Sequence, residues 1–180
     1  CHSKCAYCDF YSTPNIKGIE QYVNALLSEL ELRINEIDSP FNTVYIGGGT
    51  PSILPISLLN KIVDAISNYV NISSLEEFTI EANPEDVTEQ WVKAIMRLGI
   101  NRVSMGIQSF NNDELKYINR RHTAEVALTA IQILQRSGIT CISGDLIYGL
   151  PGQDLESWKQ SLKMLLSLRI PHFSAYLLSY

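Results

Sequence analysis

Phe78-Thr79-Ile80-Glu81-Ala82, then the helix-period run Thr88 to Leu98, then Arg102-Val103-Ser104-Met105-Gly106-Ile107, read as strand, helix and strand in immediate succession. Two strands joined through a helix pair in parallel by a right-handed crossover, because a two-residue hairpin cannot connect parallel neighbours. Leu98-Gly99-Ile100 places a glycine directly after the helix and before the next strand, where a left-handed residue ends helices cheaply. Ser137-Gly138-Ile139 repeats that arrangement one unit later.

The same alternation extends in both directions. Upstream lie a helix over about Ile56 to Val70 and the short strand Thr43-Val44-Tyr45-Ile46. Before them comes an amphipathic helix whose apolar stripe is Ile19, Tyr22, Val23, Leu26, Leu27, Leu30, Ile34 and Ile37, stopping ahead of Ser39-Pro40. Downstream lie a helix over Ala124–Gln135, a strand over Cys141–Ile147, a helix over Leu155–Leu168 and a strand over His172–Leu178. Trp158, Leu162 and Leu165 read as core stripe. Serial βα units predict an α/β fold with a parallel sheet. Five such strands, with a sixth expected before Cys1, predict a partial (β/α)6 TIM-type barrel, truncated at both ends. With no linker or low-complexity tract, residues 1–180 read as one domain, its first strand and a C-terminal domain expected outside this chain.

Composition narrows the function classes. The 180 residues carry 14 Lys+Arg against 19 Asp+Glu, a formal charge of −5, and 46% are hydrophobic. That is an ordinary globular balance. No basic run is longer than Arg120-Arg121, so the footprint that binds a phosphate backbone is missing and nucleic acid is not expected. No apolar stretch reaches the roughly 18 residues of a membrane span, and no signal peptide opens the chain, so a cytoplasmic location is expected.

Three of the four cysteines fall in Cys1-His2-Ser3-Lys4-Cys5-Ala6-Tyr7-Cys8. Clustered cysteines of this kind point to metal or redox chemistry, not to a disulfide framework. Zinc held by the three thiolates and His2 is one reading, although adjacent Cys1 and His2 would strain a tetrahedron. A [4Fe–4S] cube is the other: four irons and three thiolates leave one iron open for a ligand. Cys141, alone in an apolar stretch, reads as a small buried hydrophobe.

In parallel α/β folds the ligand site lies where strands hand over to helices. Those positions are polar and glycine-rich here. Gly47-Gly48-Gly49-Thr50-Pro51-Ser52 follows one strand and lets backbone approach a ligand closely, unless it is a plain tight turn. Glu81 and Asn83, then Gln108 and Ser109, then Asp145 stand at successive strand ends. Singly each reads as a cap or turn residue; together they face a common mouth able to bind ribose hydroxyls and amino-acid charges. Arg120 is either a carboxylate partner at that mouth or a solvated surface charge.

Taken together, Cys1-x-x-x-Cys5-x-x-Cys8 and Gly47-Gly48-Gly49-Thr50-Pro51 resemble the radical S-adenosylmethionine (SAM) superfamily. Four further stretches are similar to its oxygen-independent coproporphyrinogen III oxidases and HemW-like haem chaperones. They are Cys5-Ala6-Tyr7-Cys8-Asp9-Phe10, Ile80-Glu81-Ala82-Asn83-Pro84, Gly106-Ile107-Gln108-Ser109-Phe110 and Asp145-Leu146-Ile147-Tyr148-Gly149-Leu150-Pro151. The resemblance implies a radical SAM core in which Cys1, Cys5 and Cys8 hold three irons of a [4Fe–4S] cluster and SAM chelates the fourth. It implies that Gly48, Gly49 and Thr50 hold the methionine part of SAM, that Glu81, Gln108, Arg120 and Asp145 hold the rest, and that Tyr7 touches the adenine end. Ser179 on the final strand is carried over with them. Reductive cleavage of SAM is the implied chemistry, and the cofactor supplies the hard step.

Two functions share this cofactor. One is a haem chaperone that accepts haem and passes it to client proteins; the other is a coproporphyrinogen III oxidase that decarboxylates two propionates of a porphyrinogen to give protoporphyrinogen IX. The family's decarboxylases carry an additional Cys at the position that is Phe10 here, and Cys8-Asp9-Phe10 is more like the chaperone branch. The resemblance also implies a reduced electron donor such as a flavodoxin. Replacing Cys1, Cys5 or Cys8 singly by Ala is expected to abolish a reconstituted iron–sulfur chromophore, while Cys141→Ala keeps it; a Cys5 variant that retains a full cluster, by iron and sulfide analysis, contradicts the ligand assignment.

Overall fold

The computed structural model describes residues 1–10, 12–36 and 40–178. Strands β1 (Thr43–Ile46), β2 (Glu77–Ala82), β3 (Arg102–Gln108), β4 (Cys141–Tyr148) and β5 (His172–Leu177) pair in that order, all parallel. An order that follows the chain without reversal is that of a barrel wall, since a doubly wound sheet turns back at a switch point. Between and around the strands run α1 (Ile19–Arg33), α2 (Ile56–Ser67), α3 (Glu89–Arg97), α4 (Asn112–Tyr117), α5 (Ala124–Arg136) and α6 (Leu155–Ser167). No helix among the described residues is long and apolar enough to cross a membrane.

Helix ends follow local chemistry. Thr88 accepts from the Trp91 amide and Asp154 from the Ser157 amide, so each supplies an acceptor for a first-turn N–H with no partner in its own helix. Gly99 (φ +84°) and Gly138 (φ +96°) close α3 and α5 in the left-handed region, as their spacing predicts. The first helix is shorter than its stripe: α1 ends at Arg33 and a 3₁₀ turn covers Ile34–Glu36, while Ile37 lies outside the described residues. Only Val23 of α1 is buried, against Leu58 and Ile62 of α2.

The two faces of the sheet differ in chemistry. Phe78, Ile80, Val103, Met105, Ile107, Ile142 and Leu146 are buried on one face against Leu59, Val92, Ile95, Ile131, Leu134 and Leu165 of the helices. Each such side chain contributes about 1.5–3 kcal/mol by leaving water. On the other face stand Tyr45, Thr79, Glu81, Ser104, Gly106, Ser143, Asp145 and Ser174. A closed TIM barrel fills this face with bulky branched side chains; here small hydroxyls and a glycine make it polar.

Cys141 corrects the sequence reading. It is exposed, because it begins β4 beside Arg102 on the polar face and does not reach the apolar layer. The helix α4 is not signalled by periodicity, being six residues of mixed polarity; its start is fixed by Asn111, whose side chain accepts from the amides of Asp113 and Glu114.

Candidate functional site

The carboxyl ends of the strands open into a cavity of about 580 Å³. Cys1, Cys5 and Cys8 all line it, each half-buried and with a free thiol. So do Tyr7, Gly48, Gly49, Thr50, Glu81, Gln108, Arg120 and Asp145. Ser179 lies outside the described residues.

The cysteine loop is docked on the segment that follows α4. The Ala6 amide donates to the Ile118 carbonyl at 3.1 Å, and Asn119 Nδ2 donates to the Lys4 carbonyl at 3.0 Å. Arg120 extends from the same segment, with Nη1 3.5 Å from Cys5 Sγ. Its Nη2 donates to Asn83 Oδ1 at 2.8 Å and to the Gly106 carbonyl at 2.7 Å. Arg120 is therefore no solvated surface charge: it joins the cysteine loop to the ends of β2 and β3. Its Nε is buried with no hydrogen-bond partner among the described residues. Tyr7 packs against Ile118, Ile147 and Leu150, and burial pushes its phenol well above the usual value.

The glycine loop sits opposite. Gly47 has no room for a side chain, since a Cβ there would lie 2.7 Å from the Tyr45 ring and 3.0 Å from Glu81 Oε1. Gly48 takes φ +118°, a conformation reserved for glycine. Its amide donates to Glu81 Oε2 at 3.1 Å, and the Tyr45 hydroxyl donates to Glu81 Oε1 at 2.8 Å. Burial together with that bond pushes the Tyr45 phenol up to about 12. Thr50 Oγ1 lies 3.0 Å from Cys1 Sγ, which brings the glycine loop to the cysteine loop. Beyond it Ser52 donates to Asp86 at 2.6 Å and accepts from the Asn83 amide at 3.2 Å, so the loop is tied to the end of β2.

Sequence reasoning missed Tyr45, Ser104 and Asn119 at this site, and it read Asn83 as a strand-end residue without its Arg120 contact. The period-two register of the strands placed Tyr45 and Ser104 on the face of Glu81 and Asp145 and was the signal available. Ser109, grouped with Gln108 in the sequence, turns the other way: it is fully buried and donates to Glu114 at 2.5 Å.

The arrangement fits a cluster with an adjoining ligand. Three thiols border one cavity, and among the described residues a buried guanidinium nitrogen has no hydrogen-bond partner and the side-chain amide of Gln108 makes no hydrogen bond. Among the described residues no three His, Cys, Asp or Glu converge as for a single metal ion; a cube spreads its thiolates over separate irons.

Asp145 carries an electrostatic cost. Burial raises its pKa, the Glu81 charge adds to the rise, and bonds from Ser174 and Ser104 oppose it. A carboxyl raised in the folded state favours folding fully below its unfolded value and loses that contribution as pH climbs through the folded value. Asp145→Asn is therefore expected to raise the melting temperature of the ligand-free protein at pH 7, with the difference vanishing on acidification below about pH 4; an Asn variant no more stable than wild type at pH 7 contradicts this.

The chain is similar to known proteins along nearly its whole length. Residues 1–165 match the model of the Radical SAM superfamily. The heme chaperone HemW of Lactococcus lactis is 38% identical over 177 residues, covering 98% of this chain and 46% of that protein. The heme chaperone HemW of Bacillus subtilis is 38% identical over 180 residues, covering 98% of this chain and 47% of that protein. The chain thus spans about half the length of the curated relatives it matches. Among solved structures, the coproporphyrinogen III oxidase HemN of Escherichia coli, described as a radical SAM enzyme, superposes with a TM-score of 0.89 at 27% identity, covering 99% of this chain and 42% of that one. On this match over most of its length, the chain belongs to the radical SAM superfamily, whose members use a [4Fe–4S] cluster and SAM.

Proposed function

We propose that this chain is the cofactor-binding portion of a haem chaperone, which accepts haem and passes it to client proteins in the cytoplasm. Phe10 is the observation that carries this reading. It lines the cavity and is 73% exposed, at the position where the family's decarboxylases place an additional cysteine. The names of the relatives at 34–38% identity favour the same branch.

In this reading Cys1, Cys5 and Cys8 hold the cluster, which supplies electrons when reduced by a donor such as a flavodoxin. Gly48, Gly49 and Thr50 present backbone and hydroxyl to the methionine part of SAM. Glu81, Gln108, Arg120 and Asp145 orient the remainder, and Tyr7 covers the adenine end. Ser179 belongs to the same proposed set. The apolar contacts of Tyr7 exclude water from one side, and the Arg120 charge balances acids at the mouth.

The coproporphyrinogen III oxidase reading rests on the closeness of the HemN fold, and one experiment separates the two. The whole protein, reconstituted with iron and sulfide without oxygen, is given SAM, a reductant and coproporphyrinogen III, with products followed by mass; a parallel sample is titrated with haem by absorption. The expected outcome is saturable haem binding and no loss of carboxyl groups from the porphyrinogen. Loss of two carboxyl groups makes the protein the decarboxylase and overturns the proposal.

A further inference from the structure

Gln108 has φ +70°, a left-handed conformation that a non-glycine residue adopts only where its surroundings enforce it. The β3–β4 register breaks at this point, with Gly106 opposite Asp145 and Gln108 opposite Leu146, so Ile107 is an extra residue in β3. The result is that Gln108 lines the cavity, 8% exposed, with its amide unengaged by any described residue. Gly106 makes room for it, since a Cβ there would stand 2.8 Å from Gln108 Nε2.

The residues on both sides of Gln108 are held by buried polar groups that do not line the cavity. On one side the Ile107 carbonyl accepts from His122 Nε2 at 3.0 Å, and His122 is 3% exposed. With Nε2 donating, Nδ1 faces Glu85 Oε2 at 3.4 Å, too poorly aligned for a hydrogen bond. On the other side the Ser109 hydroxyl donates to Glu114, a buried carboxylate that also accepts from Gln153 Nε2 at 2.9 Å and from the Ser157 hydroxyl. Core packing alone asks for neither group: a buried imidazole and a buried carboxylate cost free energy unless their bonds are made. What both bonds share is that each holds an immediate neighbour of Gln108.

We propose that His122 and Glu114 are positioning residues which lock the backbone of Gln108 in its left-handed form and so aim its amide at the ligand in the cavity. This rests on the reading that SAM occupies the cavity. It adds to that reading a pair of residues, remote from the ligand, on which the affinity depends through Gln108.

The test is a double-mutant cycle on SAM affinity, measured by calorimetry on the cluster-loaded whole protein, with thermal melting alongside. Binding of SAM to the wild type tests the underlying reading by itself; absence of binding there refutes that reading, whatever the variants do. Given wild-type binding, His122→Leu is expected to weaken affinity roughly tenfold, the worth of one well-made hydrogen bond. His122→Gln, which keeps an N–H toward Ile107, is expected to restore most of it. Gln108→Ala is expected to weaken affinity as well, and adding His122→Leu to it is expected to cost nothing further. Should His122→Leu fail to fold, Ser109→Ala removes the tie to Glu114 with a smaller change and enters the same cycle. Additive losses in the Gln108→Ala background, or unchanged affinity in both His122→Leu and Ser109→Ala, overturn the proposal.

Discussion

The Arg120 guanidinium, held between Cys5 Sγ, Asn83 Oδ1 and the Gly106 carbonyl, is the contact through which the separate parts of the site become one. A charge withdrawn from water must be matched by acceptors, and the acceptors it finds come from the cysteine loop, the end of β2 and the end of β3. The segment that carries Arg120 also receives the Ala6 amide and reaches the Lys4 carbonyl. The loop of three cysteines has no regular secondary structure of its own, so this docking defines where its thiols sit relative to the strand ends.

A second constraint makes the mouth usable. The sheet obtains its stability from one face, where Phe78, Ile80, Val103, Ile142 and their neighbours pack on the helices. The other face carries Thr79, Ser104, Ser143 and Ser174 in place of branched apolar residues. Polar groups aligned on that face lead to Glu81 and Asp145 at the rim. The cost appears in the raised carboxyl of Asp145 and in the left-handed backbone of Gln108, both of which a ligand with complementary groups would offset.

Strand and helix periods are enough to give the five parallel strands, and Gly99 and Gly138 announce their own conformations in the amino-acid order. The residues directly after each strand mark the mouth, because parallel folds put ligands there. Other features depend on three-dimensional context. Cys141 and Ser104 lie on the same sheet face, yet one is exposed at its start and the other lies near the mouth. Ser109 is buried on Glu114 while Gln108, at φ +70°, lines the cavity, and no propensity signals that backbone conformation. Arg120 reads equally well as surface charge, since its partners come from positions 5, 83 and 106. The six residues of α4 are too few for periodicity to register.

In the proposed reading the three-cysteine loop and the polar mouth form one site, with a cluster iron left open to SAM. The most direct measurement is the electron paramagnetic resonance spectrum of the reduced, reconstituted whole protein during titration with SAM, with bound SAM quantified in parallel. The cluster signal is expected to change its g-values and line shape, with the change saturating at one SAM per cluster. A spectrum that stays the same while SAM is bound would contradict that reading, because the ligand would then occupy a place away from the cluster.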